Sequence, residues 1–317
     1  MQTEHTLSRR GFVASAGLAL AGAYLMPAAA ARAAGEAEGP VQMIRRAGPA
    51  AKLLVHPLRG NVSVIEGSGG NIAVLSGADG KLLVDAGVSE ANVRAALDGI
   101  GPGPVRCVVN SHWHFDHTDG NAWLHAAGAT IVAHENTRRR MSVAARVEGW
   151  DFTFPPSPAA ALPTVVIGGD TTLHVNATAV ALRPYAPGHT DTDVRVTFAE
   201  ADVVHVGDTW WNGHYPFIDY STGGGIDGTI RAAEANVDVV TDRTLVIPGH
   251  GPVGDKKQLT EFRDLLRSVR DAVARLKKAG KSADEAVAAK PTAAYDAKWG
   301  TFVITPEVFT RLVYAGV

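Results

Sequence analysis

The chain's densest concentration of metal-donor side chains is "NSHWHFDHTDG", residues 110–120, where His112, His114, Asp116 and His117 fall within six positions although the whole chain has 12 histidines. On an extended segment, side chains two apart project to the same face, so His112 and His114 can reach one ion from the end of a strand. Asp116 and His117 then lie around the turn, able to face a second. Zinc in catalytic sites takes about three nitrogen or oxygen ligands and keeps a position for water, which such a cluster can supply without cysteine. From this stretch alone a merely structural role stays open. Three further stretches each place a donor after an apolar strand: "PYAPGHTDTD" with His189, "DVVHVGDTWW" with Asp208 and "TLVIPGHGP" with His250. All three donors fall on loops, where site residues concentrate.

The elements that must position these loops read as two runs of strands, each followed by helices. "NVSVIEG", "GNIAVLSG" and "GKLLVDAG" are predicted as an antiparallel meander, with Asp79-Gly80 as a turn. A helix follows through "SEANVRAALDGIG" with Ser89 as N-cap, then the strand "VRCVVNS", so the histidine cluster begins where a strand stops. Asp119 is expected to cap a short helix through "GNAWLHAA", and "ATIVAH" leads from a strand into a helix near "ENTRRRMSVAARV". Residues 150–163, "WDFTFPPSPAAALP", read as a proline-rich surface loop. The second run comprises "TVVIGG", "TTLHVN", "TAVALRPYA", "DVRVTFA" and "DVVHVG", then a helix around Ile226 to Val240 and the strand "TLVIPG". This pattern predicts an α/β protein with two similar halves packed sheet against sheet, helices outside. Leu259, Phe262, Leu265, Leu266, Val269, Val273 and Leu276 recur at helical spacing, and two short helices follow, one from Ser282 with a Glu285 capping box and one from Thr305 with Pro306 in its first turn.

The ordered set His-x-His-x-Asp-His, His, Asp and His, together with "LLVDAG" around Asp85, resembles the metallo-β-lactamase-fold hydrolase superfamily over residues about 60 to 255. The resemblance implies a four-layer αββα sandwich. It also implies two Zn²⁺ ions, His112, His114 and His189 holding one, Asp116, His117 and His250 the other, and Asp208 bridging them. Asp85 is implied to brace the ligand loops by hydrogen bonding, without itself binding metal. The mechanism implied is attack by a metal-bridging hydroxide on an acyl carbonyl of an ester, lactone, thioester or β-lactam, with Asp116 handling the proton. Asp208 stands where one group of true β-lactamases carries a cysteine. The alternative from another reaction class is a mononuclear iron dioxygenase acting on persulfides, which shares much of the motif set. The loop "TWWNGHYPFIDYSTGGGIDG" after Asp208 is a candidate lid, with Trp210, Trp211, His214 and Tyr215 as substrate contacts.

The remaining features bound the class. The chain is 46% hydrophobic and 20% charged with a formal net charge of −2, so it carries no electrostatic footprint for nucleic acid, and a small-molecule substrate is expected. Ser8-Arg9-Arg10-Gly11-Phe12-Val13 resembles the twin-arginine export motif, followed by a Gly/Ala-rich apolar segment and Ala31-Arg32-Ala33 as a cleavage site. Residues 1–33 are therefore expected to be an export signal engaging the twin-arginine machinery, and the mature protein periplasmic or otherwise exported without a stable membrane anchor. Residues 34–55 read as a flexible leader, 56–255 as the catalytic core and 256–317 as helices packing on it. Cys107 is the one cysteine, so no intramolecular disulfide can form; inside "VRCVVN" it reads as a small buried hydrophobe.

Overall fold

The computed structural model describes residues 39–317. The expected export signal and the start of the leader lie outside the described residues. Helix α1 (Pro40–Ala47) leads into β1 (Leu54–Pro57), β2 (Val62–Glu66), β3 (Ile72–Gly77) and β4 (Gly80–Val84). Next come α2 (Glu90–Asp98), β5 (Val105–Val109), α3 (Phe115–Thr118), α4 (Asn121–Ala126), β6 (Thr130–His134), α5 (Glu135–Met141), β7 (Ala145–Val147), β8 (Phe152–Phe154) and β9 (Val165–Ile167). The second half holds β10 (Thr171–Val175), β11 (Thr178–Pro184), β12 (Val194–Phe198), β13 (Val203–His205), α6 (Ile226–Val239) and β14 (Leu245–Ile247). Helices α7 (Lys256–Lys278), α8 (Ala283–Ala288), α9 (Asp296–Trp299) and α10 (Pro306–Gly316) complete the described chain.

Two sheets carry the architecture, one ordered β1-β2-β3-β4-β5-β6-β9 and the other β10-β11-β12-β13-β14. Their period-two alternation decides which layer each side chain joins. In β2, β4 and β13, Val64, Leu82, Val84 and Val203 enter the core between the sheets, where they meet Val180, Leu182, Val196, Phe198 and Ile247. The alternate residues Ile65, Val74 and Leu83 face outward onto Val93 and Leu97 of α2 and Leu124 of α4. On the far side, Val204 and Val246 belong to a third core with Ile230 and Val237 of α6 and Leu259, Phe262, Leu266, Val269 and Val273 of α7. Helix, sheet, sheet and helix thus form the four layers, and each fully buried side chain of this size contributes roughly 1.5–3 kcal/mol. The α7 N-cap is Asp255, which accepts from the Gln258 N–H, and the Ser282–Glu285 capping box of α8 is present.

Four expectations are corrected. The segment 34–55 is not wholly a flexible leader: within it α1 buries Val41, Arg45 holds Asp119 through two hydrogen bonds of 2.7 and 2.8 Å, and β1 begins at Leu54 and pairs with β2. Asp119 therefore serves Arg45, and Gly120 precedes α4 instead. The strand "TVVIGG" does not open the second sheet; β9 runs parallel to β6 and closes the first. Residues 150–163 are not all surface loop, since β8 pairs with β7 and Phe154 is buried. Among the described residues, no helix is long and apolar enough to cross a membrane.

Candidate metal centre

The donor-bearing loops follow the ends of β5, β11, β13 and β14, and Asp85 follows β4. Strands β4 and β5, and β13 and β14, are parallel neighbours, so their C-terminal ends emerge on one edge of each sheet. His114 keeps an extended backbone (φ −62°, ψ 150°) and the chain then tightens into the single turn of α3, which presents Asp116 and His117. The loop is tied to the opposite sheet by Val194 N–H donating to Ser111 O at 2.7 Å and Trp113 N–H donating to Thr192 Oγ1 at 3.2 Å. Asn71 clamps the loop of His250, donating from Nδ2 to Pro248 O at 2.9 Å and Gly251 O at 2.8 Å. At Gly249 a Cβ would overlap Asp208 Oδ1, so only glycine lets this loop pass beside the carboxylate.

Seven side chains converge. One donor atom each from His112, His114, His189 and Asp208 lies within 4.8 Å of the others, and the same holds for Asp116, His117 and His250. Asp208 reaches both groups, its Oδ2 standing 3.4 Å from His189 Nε2 and 3.4 Å from His250 Nε2 and its Oδ1 3.2 Å from His117 Nε2. Asp116 Oδ2 lies 3.3 Å from His250 Nε2. All seven are buried; Asp116 and His250, 8% and 9% exposed, are the most accessible and mark the mouth.

Each of four rings is fixed by a bond to its other nitrogen. His117 Nδ1 donates to Asp85 Oδ2 at 2.7 Å. His112 Nδ1 lies 3.1 Å from Ser111 Oγ, whose own hydrogen goes to Asp85 Oδ2 at 2.7 Å, while Ser111 N–H donates to Asp85 Oδ1 at 2.6 Å. His189 Nδ1 donates to Phe217 O at 2.9 Å, and His114 Nε2 donates to Asp219 Oδ2 at 3.0 Å. Asp85 holds this position with a left-handed backbone, φ 70°, which aspartate tolerates better than most residues. Asp219 was not singled out by the sequence, nor was Asn71. The signal that could have found Asp219 is the "DYST" run, since its carboxylate also accepts from Ser221 N–H and Thr222 Oγ1 in the manner of a loop cap.

These fixed rings test whether metal ions fit. With their N–H groups spent on Asp219 and Phe217 O, His114 Nδ1 and His189 Nε2 confront each other at 2.9 Å, lone pair against lone pair. A cation that both nitrogens ligate would relieve that opposition. His112 Nε2 is buried without a hydrogen-bond partner. Burial and the neighbouring rings hold His112 well below the ordinary histidine range, so its ring is neutral and free to ligate. Burial also opposes charge on His117 and His250, yet Asp116 and Asp208 prevail, pushing His117 well up and His250 to about 9. Burial alone would raise Asp208, but His250, His117, His112 and His189 hold it well below the carboxylate range. Two carboxylates among five imidazoles, with no thiolate, form a nitrogen- and oxygen-rich donor set suited to divalent ions.

The expected substrate loop is placed differently from its donors. Trp210 and Tyr215 lie in the core, Tyr215 stacked on Phe309 at 4.6 Å and donating to Asp296 Oδ1 at 2.8 Å. Both are fully buried, so neither is presented on an open lid. Trp211 packs on His250 with ring centroids 4.2 Å apart, and His214 stacks on Phe302 at 4.4 Å. On the other flank Trp150 lies 4.6 Å from His114 and stacks on Phe217 at 4.9 Å.

A four-layer sandwich with paired His/Asp groups at the strand ends defines a class of metal-binding proteins. The profile of the metallo-beta-lactamase superfamily matches residues 65–271, more than half of the chain, and the protein belongs to that superfamily. Among solved structures, it is similar to a double mutant of the sec-alkyl sulfatase PisA1 (17% identity, TM-score 0.62), covering 86% of this chain and 51% of that one. It is also similar to a metallo-beta-lactamase from Pontibacter korlensis (19% identity, TM-score 0.54), covering 68% of this chain and 99% of that one. The DIM-1 metallo-beta-lactamase gives 20% identity and a TM-score of 0.54 over 68% of this chain and 97% of that one. At these identities the likeness establishes the fold, and the chain spans about half the length of the alkyl sulfatase. A search of curated protein sequences gave no match.

Proposed function

We propose that the protein is a metal-dependent hydrolase holding two Zn²⁺ ions, one by His112, His114 and His189 and one by Asp116, His117 and His250, with Asp208 shared. The observation that carries this reading is the 2.9 Å approach of His114 Nδ1 to His189 Nε2, whose remaining ring nitrogens are both bonded elsewhere. When bound, such ions lower the pKa of a water toward roughly 7 and polarise an acyl carbonyl. The chain's own residues do the rest. Asp85, Ser111, Asp219 and the Phe217 carbonyl fix the ring tautomers. Asp116 sits at the mouth with Oδ2 beside His250, where it can accept a proton from the attacking water and pass it to the leaving group.

The substrates supported are small acyl compounds: an ester, lactone, thioester or β-lactam. The fold shared with an alkyl sulfatase adds a secondary alkyl sulfate to the set worth testing. The Asp116–His117–His250 group supports two ions over the single iron of a persulfide dioxygenase. The twin-arginine resemblance supports export of the protein, already folded, to the periplasm. Metal analysis together with hydrolysis assays on this set tests the reading. Near two zinc equivalents and turnover of at least one acyl substrate are expected; one iron per chain with oxygen consumption would replace it.

A further inference from the structure

Two half-buried rings stand beside the donors, one from the middle of the chain and one from near its C-terminus. Trp150, between β7 and β8, is half-buried and lies 4.6 Å from His114, braced by Phe217 and by Phe115 at 5.6 Å. Phe302, between α9 and α10, is also half-buried and reaches the other flank, 4.4 Å from His214, 6.1 Å from Trp211 and 6.4 Å from His250. Phe302 lies beyond residues 65–271, which the superfamily profile matches, on the segment that follows α7. His214 adds to its apolar character: burial, with His250 nearby, holds its ring down to about 4, so it stands neutral at ordinary pH.

We infer that Trp150 and Phe302 are specificity-determining walls, and that the centre selects substrates carrying a flat apolar group beside the scissile bond. The inference rests on the hydrolase reading for its chemistry but not for its binding component. Both rings are half-buried; the part of an aromatic surface left accessible gains by stacking on such a group, and a pocket contact of this size discriminates by roughly tenfold or more in kcat/KM.

The test compares metal-loaded wild type, Phe302→Ala, Phe302→Leu and Trp150→Ala on methyl phenylacetate against methyl acetate, and on benzyl acetate against ethyl acetate. Wild type is expected to prefer the aromatic member of at least one pair by about tenfold. Phe302→Ala is expected to bring that ratio toward one with metal content retained, and Phe302→Leu, which keeps an apolar side chain, to fall between. A second readout is independent of turnover: quenching of tryptophan fluorescence by 2-phenylacetamide against acetamide, with and without zinc. Preferential binding of 2-phenylacetamide that weakens in the variants, with no ester hydrolysed, would remove the hydrolase reading and keep the walls. Wild-type ratios near one in both pairs, or ratios that the substitutions leave unchanged, would overturn the walls whether or not the esters are cleaved. Neither binding nor cleavage would remove both.

Discussion

His114 Nε2 donates to Asp219 Oδ2 at 3.0 Å across 105 positions of chain, and this bond decides which nitrogen of His114 faces the centre. Because Nε2 keeps the hydrogen, Nδ1 turns to His189. Asp219 is in turn held by Thr222 Oγ1 at 2.5 Å, and Thr222 also accepts from Trp113 Nε1 at 3.2 Å.

Replacing Asp219 by Ala is expected to weaken zinc binding by about 10–100-fold. Asp219→Asn, which can still accept from Nε2, is expected to lose less. Competition with a chromophoric chelator measures both affinities. Equal affinity in Asp219→Ala and wild type would show that packing alone orients the ring.

Asp116→Asn removes the carboxylate at the mouth while His117, His250 and Asp208 remain. Turnover is expected to drop by about 10²–10⁴-fold, with a substantial share of the metal kept. Steady-state rates on any substrate found, read beside metal content, check this. Wild-type hydrolysis by the variant would leave Asp116 without its proton-handling role.

Zinc binding should release protons. In the metal-free protein the carboxylates Asp116 and Asp208 hold His250 up to about 9 and His117 well above its ordinary value, so both rings carry protons at pH 7. An ion must displace them, so affinity rises with pH and the dependence flattens for His250 once pH passes about 9. Calorimetry in two buffers of different ionisation enthalpy counts the protons. A count of zero at pH 7 would mean that these rings are neutral without metal.

Gly249→Ala is expected to push Asp208 aside, because a Cβ there overlaps Oδ1. Stability should fall by about 1–3 kcal/mol and metal content with it. Gly169, where a Cβ meets nothing within 4 Å, is the control, with a change inside roughly ±0.5 kcal/mol. Thermal unfolding with metal analysis reads both.

The donors were legible because chemistry restricts them: few segments offer His112, His114, Asp116 and His117 so close together, and His189, Asp208 and His250 each follow an apolar strand. The sandwich was legible from alternation and helical spacing. Strand order was not, because "TVVIGG" looks the same whether β9 joins β6 or opens a second sheet. Asp119 met the local rule for a cap, but a tertiary partner, Arg45, claimed its carboxylate. Asp219 and Phe302 were missed for one reason: an aspartate in a loop and a phenylalanine near the C-terminus look ordinary until folding brings them to His114 and His214.

The donors arrive from both sheets, His112 to His117 from the first and His189, Asp208 and His250 from the second. Ions bound there would be rivets between the halves. Pulling the sheets apart would then require breaking coordinate bonds before much of the inter-sheet core is exposed, which raises the barrier to unfolding in addition to the equilibrium stability. Resistance measured as a lifetime against proteases would then depend on how fast metal leaves.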